Sequence, residues 1–491
     1  MTRLRPWSMV WLAVVALAGG CAVGPDYHRP SALANQPMPP AFSTPATNGL
    51  PEWKAAEPSA HLPRGAWWRV FDDPPLDRLE EAAETGNPGL AAAFARLQEA
   101  RATVDISRAE FFPQVQVDPS ATRQRTSVNQ PLNGSPAGAS HTFNTFTLPF
   151  QAGWEADLFG RIRREVEAAR ANLGANRDEY ETVKLALQSE IAADYFTLRA
   201  LDAEYDLLQR SAETFRRSLE LTVNRRRGGI ASDLDVAQAE TQLRATEAEL
   251  PPLKLQRSRL LHALAALTGQ AAPGFELPAT ATALGALPQV PVSLPSELLE
   301  RRPDIAAFER RMAEANARVG VAQSAFYPRL RFNGLAGLQS VDAGSWFDWP
   351  SRFWSVGPSL EVPLFTGGRN RAQLEFARAA YTESVAQYRQ TVLTAFQEVE
   401  DQLAAQGLLA AQMEAELAAL KAAQRTLEIA DNRYKAGLVT YLEVATAQGA
   451  ALNLERTTVQ LRGEKLVAVV GLIKALGGGW EAATQAAVTD R

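Results

Sequence analysis

The chain has 491 residues, 46 % of them hydrophobic, a net charge of −5 and a single cysteine. That length could hold several ordinary domains, and the slightly acidic balance offers nothing for nucleic acid to bind. Mean hydropathy is −0.18, and beyond the N-terminus no apolar run approaches the roughly 18–20 residues that a membrane-spanning helix needs.

Residues 1–20 read as a signal peptide. Arg3 and Arg5 precede an apolar stretch from Met9 to Ala18 that is too short for a stable anchor. The stretch ends in LAGGC, which resembles a bacterial lipobox and marks Cys21 for lipidation. Ala18 stands where Leu is more usual, and Ala22, in place of Asp, resembles the sorting pattern for the outer membrane. The plainer alternative is a secretory signal followed by a stray cysteine, but a lone thiol has little use in an oxidising compartment. Residues 21–75, rich in Pro, Ala and Ser, read as a lipidated linker.

The remainder is two copies of one unit, 76–269 and 303–476, joined by an Ala/Pro linker at 270–302 and followed by a flexible tail at 477–491. Asn87-Pro88-Gly89-Leu90 answers Arg302-Pro303-Asp304-Ile305, 215 positions on, and both copies then reach an aromatic pair before Pro113 and Pro328. Strands are expected at about 113–126 and 142–156 in the first copy and at about 328–341 and 353–364 in the second. Phe146, Leu148, Phe150, Ala152 and Trp154 alternate with Thr145, Thr147, Gln151 and Glu155. Trp354, Val356, Leu360, Val362 and Leu364 alternate with Ser355, Ser359 and Glu361. Segments of about ten residues, apolar on one side only, have the pattern of transmembrane barrel strands. A soluble sandwich alternates the same way, but aromatics crowd the second hairpin (Trp346, Phe347, Trp349, Phe353, Trp354) as an interfacial girdle would. Pro149 and Pro358 suggest strand ends or bulges.

Long helices are expected at about 160–226 and 368–435, each followed by a return helix at about 233–269 and 440–475. Val385, Val392, Val399, Met413, Leu420, Leu427 and Tyr434 fall on one heptad, interrupted by Gln406. Such a repeat must pack along its whole length, and a rise of ~1.5 Å per residue makes this helix about 100 Å long. Pro251-Pro252 should kink the first return helix. The reversals carry Gly228-Gly229 and Gly437, suited to left-handed caps. Four strands cannot close a membrane barrel, and an open edge in hydrocarbon leaves unsatisfied amides. Strands in a membrane therefore require several chains.

The motifs CAVGPDYHRP at Cys21–Pro30, LLERRPDI at Leu298–Ile305, DLFGR at Asp157–Arg161 and RYKAGLVTYLEV at Arg433–Val444 resemble those of the TolC-like outer membrane factors, in the lipoprotein branch that serves drug-efflux pumps. The resemblance covers nearly the whole mature chain. It implies a mixed α/β membrane protein: a homotrimer with a 12-stranded transmembrane β-barrel continuous with a 12-helix periplasmic α-barrel. Its partners would be a periplasmic adapter, an inner-membrane transporter of the RND type and outer membrane lipid. The expected role is a passive, gated exit duct, the alternatives being the duct of a type I protein secretion system and a periplasmic coiled-coil lipoprotein with no pore.

By the same resemblance, the helix reversals touch the adapter and form the closed aperture, which makes Gly228, Gly229, Gly437, Leu438, Val439 and Thr440 docking candidates. Asp431 matches an aperture acid that would form one anionic ring per trimer, with Arg433 and Tyr434 holding the aperture shut. An exposed aspartate with Arg433 as its local partner is the plainer account. Nothing points to catalysis: His28, His61, His141 and His262 are scattered without metal-ligand spacing, and no phosphate-binding glycine motif occurs. No cofactor is expected beyond a covalent lipid on Cys21.

Overall fold

The computed structural model describes residues 22–33, 65–129, 140–279, 288 and 301–478. The signal peptide, Cys21, His61, most of both linkers and the tail from 479 lie outside the described residues. The chain divides into two compact units that cut across the sequence repeat: Met1–Ser31, Arg96–Asn176 and Phe308–Tyr388 form one, and Ala32–Ala95, Arg177–Ala307 and Arg389–Arg491 the other.

The elements in order are α1 (Pro74–Gly86), α2 (Pro88–Ala109), β1 (Gln114–Val117), β2 (Ser120–Arg125), β3 (Thr142–Ala156), α3 (Arg161–Arg227), α4 (Asp233–Leu267), α5 (Pro303–Ser324), β4 (Arg329–Ser340), β5 (Arg352–Glu361), α6 (Arg369–Lys435) and α7 (Tyr441–Ala475). No helix among the described residues is long and apolar enough to cross a membrane.

The first unit holds one antiparallel sheet. β1 and β2 pair with β3 in one continuous register, β3 pairs with β4, and β4 with β5. β1 and β2 are thus one strand interrupted at Asp118-Pro119, where proline has no N–H to give the ladder. Pro149 and Pro358 are not strand ends: Pro149 lies within β3 opposite Gly337, and Pro358 within β5 opposite Phe332. Extending the β1–β3 register sets Pro149 opposite Asp118, at the existing break. Pro358 sits on the outermost strand of the sheet formed by the single chain.

DLFGR makes the strand-to-helix turn. The Asp157 carboxylate accepts from the N–H groups of Ile162 (3.2 Å) and Arg163 (3.0 Å), which caps α3. Gly160 takes φ +82° where Ala22 crosses so closely that a Cβ would strike it. The segment after Cys21 is knitted in here: Val23 N–H donates to the Phe159 carbonyl (3.0 Å), and the buried Arg164 guanidinium donates to the carbonyls of Val23 and Gly24 and to Asp26.

In the second unit the long helices pack on α1, α4 and α7. Ile191, Leu198, Tyr195, Leu264 and Ile473 form the main apolar cluster with Trp67 and Trp68. The RRPDI motif is structural: buried Arg302 donates to Asp304 (2.6 Å), Glu398 (2.6 Å) and the Ala475 carbonyl (3.0 Å). Helix α4 is one continuous helix through Pro251-Pro252.

Candidate functional site

The sheet of the first unit has two unlike faces. Its register brings Val115, Val117, Phe150, Ala152, Trp154, Phe332, Ala336, Trp354 and Val356 to one side, and Gln114, Gln116, Gln151, Glu155, Arg331, Asn333, Ser355 and Ser359 to the other. Among the described residues nothing covers the apolar side: Val356 is 76 % exposed and Trp354 74 %. Such residues in water would cost about 25 cal/mol per Å2 of apolar surface. The polar side is hydrogen-bonded within itself: Gln116 to Gln151 (3.2 Å) and Asn333 to Ser359 (3.0 Å), with Arg161 bridging Glu155 (2.9 Å) and Glu110 (2.8 Å). It lines a hollow of about 690 Å3. Toward the hairpin turn, Trp346 lies tilted against Phe146 (5.5 Å) and Phe347 (4.9 Å), and Arg352 lies over the Trp349 ring (4.5 Å).

In the second unit the two helix reversals share one construction. Gly229 (φ +72°) and Gly437 (φ +77°) stand just past α3 and α6. Ile230 N–H returns to the Arg225 carbonyl and Leu438 N–H to that of Arg433, both at 2.9 Å, so each end is a Schellman cap. The apolar residue after the glycine normally packs back on its helix, yet Ile230 is 69 % and Leu438 71 % exposed. Beneath these ends the tips are linked. Tyr434 is buried, stacked edge-on to Tyr441 (5.5 Å) and capped by the Arg225 guanidinium (4.5 Å), and its hydroxyl lies 3.4 Å from that of Thr222. Asp235 accepts from Ser232 N–H (2.8 Å) and Oγ–H (2.8 Å) and from Tyr441 N–H (3.1 Å). Burial alone would raise the Asp235 pKa, but these hydrogen bonds and nearby Arg225 prevail and lower it. Burial, then Tyr434, pushes the Tyr441 phenol up to about 12.

The family model for outer membrane efflux proteins matches residues 79–270 and 294–478. The probable efflux pump outer membrane protein TtgC of Pseudomonas putida is 32 % identical over 476 residues, 96 % of each chain. The pyoverdine export outer membrane protein OpmQ of the same species is 33 % identical over 451 residues, covering 91 % of this chain and 94 % of its own. Among solved structures, the outer-membrane channel OprN is 32 % identical over 94 % of this chain and all of its own, with a TM-score of 0.83. The chain belongs to the outer membrane efflux protein family. It is the outer membrane channel component of an efflux system.

The structure sorts the candidate tip residues. Gly228, Gly229, Gly437, Leu438, Val439 and Thr440 gather at the two reversals. Asp431 and Arg433 do not pair: Asp431 binds Lys435 (2.5 Å), and Arg433 faces Glu443 (3.4 Å). Residues two apart on a helix point away from each other, whereas four apart share a face. Tyr434 is buried at the tips. Thr222, Arg225, Asp235 and Tyr441, which hold the tips together, were not singled out in sequence. The Ser-x-x-Asp spacing at Ser232 is a local signal that could have marked a helix start, but the reach of Asp235 to Tyr441 has none. Among the described residues no cluster of three or more His, Cys, Asp or Glu could hold a metal.

Proposed function

We propose that three chains form a twelve-stranded barrel in the outer membrane, continued by a twelve-helix periplasmic tunnel, and that this trimer is a passive, gated exit duct. The supporting observation is the sheet. Among the described residues, β5 pairs only with β4, and β1/β2 only with β3, so one chain leaves two open edges beside an apolar face. In hydrocarbon every unpaired amide costs several kcal/mol, and three four-stranded sheets close edge to edge. Helices α3, α4, α6 and α7 from each chain supply the twelve of the tunnel.

Cys21 carries the lipid; its neighbour Ala22 packs against Gly160 at the foot of the sheet, where an acyl chain would reach the inner leaflet. The duct receives cargo from an RND-type transporter through a periplasmic adapter that docks on Gly228, Gly229, Gly437, Leu438, Val439 and Thr440, with Ile230 adding to the apolar surface. Three copies of Asp431 ring the aperture and favour cations, while Arg433 and Tyr434 hold it shut. TtgC is named for an efflux pump and OpmQ for pyoverdine export. Relatives named for toluene efflux and for pyoverdine export share this architecture, which supports selection in the transporter.

The test is electrophoresis and planar-bilayer recording of the detergent-purified protein. An unheated sample should migrate as a trimer that heat converts to monomer, and it should form single channels whose cation preference falls in Asp431→Ala. A monomer that stays soluble without detergent and conducts nothing would overturn the reading.

A further inference from the structure

The register that separates apolar from polar side chains also sorts the charges of the sheet. Arg123 lies opposite Asn144 and Arg125 opposite Thr142, on the side of β3 that carries Phe146, and Arg352 lies opposite Leu338. Among the described strand residues these are the only charged side chains on the apolar face. All three are arginine, and each stands toward the end of its strand that meets a loop rather than a helix. The polar face, by contrast, carries both signs, with Arg331 against Glu155 (3.6 Å) near the helix end.

None of the three forms an ion pair among the described residues. Asp342, in the turn before Arg352, accepts from Gly344 N–H instead (3.3 Å). Arg125 gives one N–H to the Ser140 hydroxyl (3.2 Å) and Arg352 one to the Trp349 carbonyl (3.0 Å), which leaves most guanidinium donors unused. Arg123 and Arg125 rise from one side of one strand about 7 Å apart, so their charges repel unless an anion lies between them. An arginine on a lipid-facing strand costs most at the bilayer midplane and least at the interface. Rings mark that interface: Trp346 lies against Phe146, and Arg352 lies over Trp349, itself 75 % exposed. Ala22, next to the lipid anchor, sits against Gly160 at the opposite, helix end, so the arginines belong to the outer leaflet.

We propose that Arg123, Arg125 and Arg352 bind the phosphate groups of a phosphorylated glycolipid in that leaflet. The inference rests on the barrel reading and names the lipid that its outer rim holds. Arginine's planar fork matches phosphate oxygens. With strands about 4.8 Å apart, β2 and β5 stand three spacings, roughly 14 Å, from each other. A headgroup with one phosphate reaches one of these positions. A diphosphorylated sugar headgroup reaches both, with Thr142 and Asn144 on β3 between them to meet its hydroxyls.

The test is native mass spectrometry of the detergent-purified full-length protein, with lipid A, a diphosphorylated glycolipid, as the probe. Wild type should retain lipid A several-fold better than the same lipid stripped of its phosphates, and several-fold better than phosphatidylglycerol. The triple variant Arg123→Gln, Arg125→Gln, Arg352→Gln should lose that preference while still migrating as a heat-sensitive trimer. Equal retention of the dephosphorylated lipid overturns the phosphate contact, and equal retention of phosphatidylglycerol overturns the glycolipid. Displacement of lipid A by excess inorganic phosphate reduces the site to one for a free anion and overturns it as well. These three comparisons use wild type alone, so they stand even where the triple variant does not fold. A heat-sensitive trimer without lipid preference sinks only this site, whereas a wild-type protein that forms no trimer sinks the barrel itself.

Discussion

The two helix reversals have the same outline and opposite economies. In the first, Ser232 and Asp235 form a reciprocal capping box, so α4 starts on its own side chains. In the second, Thr440 occupies the cap position but makes no side-chain cap bond. The first amide of α7, Tyr441 N–H, is taken by Asp235 instead. One carboxylate thus closes both return helices, and the second tip borrows its start from the first. Duplicated halves can share a group that each would otherwise need separately, and the shared group ties their motions together.

Asp235→Ala is the sharpest way to break this relation. It removes the Asp235 half of the capping box at α4 and the bond that closes the first amide of α7, and leaves Ser232 N–H and Tyr441 N–H unpaired. Each cap contributes about 1 kcal/mol, so the two tips together should lose about 2–3 kcal/mol. Hydrogen exchange should show the first-turn amides of both α4 and α7 opening, with bilayer recordings showing longer open times if the tips form the aperture. The lowered Asp235 pKa fixes the pH dependence. A carboxylate with a depressed folded pKa stabilises fully above its unfolded value of about 3.9. That stability disappears as pH falls through the folded value, so acid below about pH 4 should loosen wild type toward the variant and leave the variant unchanged.

Ser232→Ala separates the two tips. It removes the acceptor for Asp235 N–H (3.2 Å) and the hydroxyl that donates to Asp235, while the Asp235 carboxylate stays on Tyr441 N–H. The cost should be about 1 kcal/mol, with faster exchange confined to the start of α4. Equal loosening of α7 would mean that Ser232 positions Asp235 for both helices.

Much of the sheet was legible because its signal is local. An alternation of period two, as from Phe146 to Trp154, needs only neighbouring residues to be read, and the repeat marked where the second hairpin would fall. Pro149 misled because its fit depends on a break in another strand, at Asp118-Pro119. The tips divide in the same way. Gly229 and Gly437 announce their caps through the positive φ that each reversal requires. The pairing of Asp235 with Tyr441 spans 206 positions and follows from packing that no local pattern encodes. The plainer account of Asp431 names Arg433 as its partner, whereas the ion pair is with Lys435, at an i,i+4 spacing present in the sequence.

The smallest expected effect is also the most discriminating for the borrowed cap. Threonine at a cap position normally contributes about 1 kcal/mol through its hydroxyl, so a reading of the second tip in isolation gives Thr440→Ala that cost. With Asp235 already on Tyr441 N–H and no bond from the Thr440 side chain, the substitution should change stability by no more than about 0.5 kcal/mol and leave exchange at Tyr441 as in wild type. In an Asp235→Ala background the Thr440 hydroxyl cannot take over that amide, because a cap side chain reaches the second or third helical N–H, so removing it there should cost no more than in the wild-type protein. Additive costs in that double-mutant cycle are therefore expected; a larger cost in the Asp235→Ala background would mean that the Thr440 side chain moves onto the start of α7 once the Asp235 carboxylate is gone.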